Sequence, residues 1–370
     1  MSGTEIERAD VVDAELVPTP ARASGGAEVA QYDPEVEAVL RAMREAAKQH
    51  LSSIRPEKTK KGYAQDWKMW EEFHAWLAER TGMVLPLVAV DEGTLVGFVQ
   101  WLDDVKHAAP ATIDRRITGV TVEARARGAH VPKDATVAAR KALKPLKKDR
   151  ARQARGRGQA TPATPAHLRQ VTAAGRTVPK KPGSRRRRAT YELPELAVLR
   201  NHALALMEFA IAGRAAEAAA LDVDDIVLTG EGLEVHVPSI KDREARDVEV
   251  GYADDSAVCP VLAWQAWKEA AGLTEGPAFR SVDQWGHLGT ARLSADAVRL
   301  AVTRAAAQGG VNVKLTGHSL RSGFITASAK GGARPDVIRR QSGHAPNSPV
   351  FESYIRKGKR WEETAGKGVL

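Results

Sequence analysis

The 370-residue chain carries 55 Lys and Arg against 46 Asp and Glu, a net charge of +9, and 43% of it is hydrophobic, enough for a sizeable core and a bias toward an anionic partner. Its one cysteine, Cys259, excludes an internal disulfide and a cysteine-built zinc site, and suits a reducing, cytoplasmic setting. No apolar run reaches the roughly 18 residues of a membrane helix, and the acidic start lacks the apolar centre of a secretion signal, so no membrane partner is expected.

Residues 1–35 are rich in Glu, Asp, Ala, Gly and Pro and read as a disordered acidic tail. Helices are predicted over residues 33–54, 56–79, 91–105, 111–129 and 134–150, the last bent or ended near Pro145. In the second, Tyr63, Trp67, Trp70, Phe73, Trp76 and Leu77 recur mostly at spacings of three and four, the stripe of a helix that faces a core. Residues 36–150 therefore read as an all-α domain. Lys58, Lys60 and Lys61 on its second helix and Arg115 and Arg116 on its fourth give several helices a basic face, so they are candidates for duplex DNA contact. Residues 151–165 have no apolar period, contain Arg155 and Arg157, and end in two Thr-Pro steps; they read as an extended basic linker that also meets DNA.

The second domain, residues 166–370, opens with a helix over 166–174 and a basic loop over 178–188 that holds the run Arg185 to Arg188. An apolar helix over 196–213 should form its centre. Residues 225–228, 233–238 and 247–251 are rich in β-branched residues and suggest a three-stranded antiparallel sheet, with Lys241 in its second turn. Helices follow over 259–271, 294–308, 318–330, 334–341 and 348–356. The expected fold is mainly α with a small antiparallel β-sheet.

The end of this domain holds the chemistry. His318 and Arg321 stand one helical turn apart, His344 follows Gly343, and Tyr354 closes the series. Arg214 opens the helix after 196–213, with Glu217 three residues on. Metal-free transfer of a phosphodiester needs fixed positive donors for the non-bridging oxygens, a proton for the leaving 5′ oxygen and an aligned nucleophile. Arg214 and Arg321 suit the first need, with His344 as a further donor, and Lys241 suits the second. His318 either accepts the phenol proton or holds the phosphate; the residues alone leave both roles open. Glu217 is suited to orient Arg214 or a histidine. Of five tyrosines, Tyr354 alone follows the His-Arg-His series, and a phenol with a pKa of about 10 needs those cations to ionise. Taken singly, Arg214 reads as a helix-end ion pair and Lys241 as a solvated turn residue; their joint order argues otherwise. The histidines lack a local ligand pair, so no metal site is expected.

This order, with Gly213-Arg214-Ala215-Ala216-Glu217 and Thr316-Gly317-His318-Ser319-Leu320-Arg321, resembles the tyrosine recombinases of the phage integrase family, most of all their Cre-like phage and plasmid members. The resemblance implies a SAM-like core-binding domain followed by an α+β catalytic domain. It implies a site-specific recombinase that joins Tyr354 to a 3′ phosphate, with Arg214, Arg321 and His344 on the phosphate, Lys241 protonating the 5′ oxygen and His318 assisting. It further implies no cofactor and no ATP, a homo-tetramer on paired double-stranded DNA sites, a Holliday junction, and work at the nucleoid. Ser322 departs from the family pattern, where a second His often follows the Arg. The segment around Trp361 is expected, by the same likeness, to dock on a neighbouring protomer. Competing readings are a type IB topoisomerase-like nicking-closing enzyme and a catalytically silent DNA-binding accessory protein.

Overall fold

A computed structural model describes residues 33–156, 158, 160–179, 190–240 and 244–365. Residues 1–32 of the expected acidic tail, Arg157, the run Arg185 to Arg188 and Lys241 lie outside the described residues, and the last two residues of that tail, Pro34 and Glu35, are helical. The chain divides into two compact units, Met1–Gly156 and Arg157–Leu370.

The first unit is helical: α1 Pro34–Ser53, α2 Glu57–Thr81, α3 Glu92–Asp104, α4 Pro110–Ala126, α5 Lys133–Leu146 and α6 Arg150–Ala154. Pro110 occupies the first position of α4, where its missing N–H has no helical partner to lose. The stripe on α2 is core: Trp67, Trp70 and Phe73 are buried and meet Leu95, Phe98 and Leu102 of α3 and Ile113 and Ile117 of α4. One polar pin runs through this packing. Asp66 is fully buried and accepts both prongs of Arg115, at 2.6 and 2.7 Å. A methyl at Gly119 would lie 2.3 Å from Oδ2 of Asp66, so only glycine lets α4 come this near.

The expected extended linker is corrected at its start. Residues 150–154 form α6, capped by Asp149, whose carboxylate accepts from the amides of Ala151 and Arg152. Arg152 and Arg155 both bind the carboxylate of Asp103, at 2.8 and 2.6 Å, which ties this segment to α3.

The second unit runs α7 Pro165–Thr172, β1 Thr177–Pro179, β2 Thr190–Glu192, α8 Glu195–Ala210, α9 Ala215–Ala220, β3 Ile226–Leu228, β4 Gly232–Val237, β5 Arg246–Gly251, α10 Pro260–Ala270, β6 Arg280–Val282, β7 Leu288–Arg292, α11 Ala295–Gln308, α12 Gly317–Lys330, α13 Pro335–Ser342 and α14 Pro349–Lys359. Strands β3, β4 and β5 pair antiparallel in that order. Two hairpins, β1–β2 and β6–β7, are additions to the expected strands. The apolar α8 is the centre, with Leu204 and Met207 buried in one cluster with Trp264 and Trp267 of α10, and Ala205 and Leu206 in another with Leu315 and Leu320. Among the described residues no helix is long and apolar enough to cross a membrane.

Candidate active site

The starts of α9 and α12 and the turn after α13 bring four of the predicted residues together, Arg214, His318, Arg321 and His344. Arg214 is the N-cap residue of α9, and its backbone N–H donates to Oε2 of Glu217 at 3.1 Å while its guanidinium donates to Oε1 at 2.6 Å. Glu217 is buried and holds a second cation: Nη2 of Arg246 lies 2.9 Å from Oε2. Burial pushes the Glu217 carboxyl up, but Arg246 and Arg214 outweigh it and hold the pKa below the ordinary value.

Arg321 is 1% exposed, on the second turn of α12. Its Nη1 donates to the carbonyl of Ala212 at 2.6 Å and its Nη2 to Nδ1 of His344 at 3.1 Å. Ala212 sits at φ 47°, a left-handed conformation that a residue with a Cβ adopts under constraint. The bend between α8 and α9 thus offers its carbonyls to the site, and Ile211 accepts from Arg246 at 3.3 Å. The Ser342 hydroxyl also bonds Nδ1 of His344, at 2.9 Å. Nη2 of Arg321 also lies 3.4 Å from Nε2 of His344.

His318 is exposed at the start of α12, and burial of its ring, then Arg321 and Arg214, press its pKa below the usual imidazole value. It is therefore neutral near pH 7, with both guanidinium groups beside it. Arg214, His318, Arg321 and His344 occupy one neighbourhood.

Tyr354 lies on α14, which packs along α12. A Cβ on Gly358 would meet the Thr326 carbonyl at 2.6 Å, so glycine permits the close crossing at that end. At the other end Phe351 packs against His344, the rings tilted by 41° with centroids 5.4 Å apart. The phenol between them is 2% exposed, among Ile325, Ala329, Ile338, Phe351 and Ile355. Ser322 is buried and donates back to the Ser319 carbonyl at 3.3 Å.

Arg246 is the site residue that the sequence reading missed. It anchors the approach to His344 by donating from Nε to the Gln341 carbonyl at 2.8 Å, and it packs on Gly343, where a Cβ would lie 3.3 Å from its Nη1. Its signal was present: Arg246, Val248 and Val250 alternate along β5, and that face is the inward one. Beside it a depression of about 890 Å³ is lined by Arg246, Arg339, Arg340 and His344. Among the described residues no cluster of His, Cys, Asp or Glu is arranged to hold a metal.

The proposed DNA contacts of the first unit differ in state. Lys58 and Lys61 are exposed, and Lys60 is bonded to Glu57 at 2.8 Å. Arg115 and Arg155 are engaged by Asp66 and Asp103. Arg116 is half-buried, its Nε has no hydrogen-bond partner, and burial lowers its pKa.

Two guanidinium groups and two imidazoles drawn together, with a phenol buried on the adjoining helix, are the kinds of group that binding and attacking a phosphate require. Residues 190–360, within the second unit, match the phage integrase family. It is 26% identical over 327 residues to an integrase/recombinase xerD homolog of Selenomonas ruminantium, across 86% of this chain and 87% of that one. The fold is similar to that of the Tn1549 transposon integrase solved with transposon right end DNA (TM-score 0.56, 14% identity, 86% of this chain and 96% of that one). It is similar also to lambda integrase, solved as a dimer bound to a COC′ core site (TM-score 0.53, 18% identity, 86% and 95%) and as a tetramer bound to a Holliday junction (TM-score 0.51, 15% identity, 89% and 82%).

Proposed function

We propose that this chain is a site-specific recombinase of double-stranded DNA that works through a 3′-phosphotyrosyl intermediate. The observation that carries the reading is the convergence of Arg214, His318, Arg321 and His344 on one face, backed by the buried Glu217. Arg214 and Arg321 bind the non-bridging oxygens of the scissile phosphate, and His344 adds a donor. His318, held neutral, takes the phenol proton as Tyr354 attacks phosphorus; the P–O5′ bond breaks and Lys241 returns a proton to the 5′ oxygen. The ester stores the bond energy, so a 5′ hydroxyl reverses the step.

The lambda integrase tetramer on a Holliday junction supports extending the reading to four protomers on two DNA sites, at work at the nucleoid. In the domain plan of residues 36–150 and 166–370 the first part binds DNA through Lys58, Lys60, Lys61, Arg115 and Arg116, and the basic segment that follows it adds Arg155 and Arg157. Trp361, 73% exposed behind a basic segment, is the anchor that docks on a neighbouring protomer. Deleting the residues after Arg360 should then weaken synapsis more than binding to one site; equal loss of both would refute it.

The test is a nicked suicide substrate library. Wild-type protein should trap a covalent adduct whose recovered DNA shares a sequence, and Tyr354→Phe should bind the same DNA without attaching. A wild type that forms no adduct rejects the proposal.

A further inference from the structure

The centre of the second unit holds an acid that the proposed chemistry does not use. Glu208, near the end of α8, is fully buried, and neither of its carboxylate oxygens has a hydrogen-bond partner. Its location is sharply defined by a glycine. A Cβ on Gly317, the first residue of α12, would lie 2.6 Å from Oε1 of Glu208 and 3.3 Å from the Cβ of Ala215, the first residue of α9. The carboxyl group therefore rests where the first turns of two helices meet. One is led by Arg214; the other carries His318 and Arg321.

We propose that Glu208 is a positioning residue for this phosphate site: as a neutral acid it sets the spacing between α9 and α12, and losing its proton disturbs the grip on phosphate. The inference rests on reading Arg214, His318 and Arg321 as that grip. The charged groups that act on Glu208 are Arg299 on α11 and Glu217 on α9, and the helix starts it touches carry Arg214 and, on α12, His318 and Arg321. Burial drives its pKa up, Arg299 opposes and Glu217 reinforces, and the outcome is about 8. At pH 7 a compact, uncharged spacer sits under the site. Above pH 8 a carboxylate with no donor remains. It relaxes by drawing on the first-turn amides of α12 or by competing with phosphate for the arginines. Either response moves or neutralises the groups that hold the substrate.

The experiment compares single-turnover cleavage by wild type and Glu208→Gln from pH 6 to 9.5, on a nicked duplex carrying the sequence recovered from the wild-type adduct. Titration of Tyr354 and the histidines is common to both proteins, so the ratio of their rates isolates Glu208. One unit above its pKa only about a tenth of an acid keeps its proton, so the Gln-to-wild-type ratio should climb roughly tenfold between pH 7 and 9. A flat ratio overturns the inference while leaving the phosphate site standing. No wild-type adduct at any pH overturns both. A second pair of variants reads the geometry. Gly317→Ala pushes a methyl toward Oε1 and should lower cleavage on the order of tenfold to a hundredfold with DNA affinity held. Adding Glu208→Ala, which vacates that space, should restore most of the rate. Failure to restore it, or equal loss of affinity and rate, rejects the positioning role.

Discussion

Arg246 and Glu217 are joined at 2.9 Å, and through Glu217 the cation at the start of β5 fixes Arg214 on α9. The same guanidinium holds the Gln341 carbonyl ahead of His344. One residue therefore orients groups on both sides of the proposed phosphate position. Arg246→Ala should leave the Glu217 carboxylate short of a partner and lower stability by about 3 kcal/mol, the scale for breaking a buried pair. Cleavage should fall while DNA binding persists, measured by suicide-substrate trapping beside a mobility shift. Unchanged cleavage would remove Arg246 from the site.

Arg214→Ala and Arg321→Ala should each reduce cleavage by on the order of a hundredfold or more, the scale for deleting a preorganised donor. Near-normal cleavage by either would release that arginine from the proposed role.

Gly119→Ala would drive a methyl into the Asp66–Arg115 pin. A loss of about 1–3 kcal/mol is expected from such overpacking, read as a lower urea midpoint of the first unit. An unshifted midpoint would mean that α2 and α4 part without strain.

The two buried carboxyls of the second unit should give stability opposite pH dependences. The folded pKa of Glu217 is depressed, so its contribution is present above its unfolded value and is lost as pH falls through the acid range. The folded pKa of Glu208 is raised from 4.5 to about 8, so its contribution is full below 4.5 and is lost as pH rises toward 8. Urea midpoints against pH should show Glu217→Gln flattening the fall below pH 4.5 and Glu208→Gln flattening the decline between 4.5 and about 8. Parallel curves for wild type and both variants would contradict the assignment.

DNA affinity should drop steeply as salt rises, because each phosphate contact releases condensed counterions. A flat response would exclude the basic faces as phosphate contacts.

Much of this was legible in the chain. The aromatic stripe on α2 has one helical period, and of its residues Trp67, Trp70 and Phe73 are core, with Trp76 and Leu77 packed against it. The box residues carried the site because His318 and Arg321 share one short helix and His344 follows a glycine at φ 59°. Other features gave little signal. β1 and β2 are three residues each, too short for alternation to register, and β1 ends in proline. The helix α6 is five residues long, too short for a period to register, and its order comes from its cap Asp149 and from Asp103, far away in sequence. Arg246 hid because a charge at the head of a strand reads as solvated until its partner is seen. Glu208 hid because one acid in an apolar helix does not disturb the period.

The resting place of Tyr354 has a consequence for timing. With 2% of its surface open to solvent, on a helix clasped by Phe351 at one end and Gly358 at the other, the phenol is sheathed. On the proposed mechanism a solitary protomer that meets a chromosome keeps its blade stowed. Cutting then waits for whatever loosens α14, so genome safety is written into the packing of one helix.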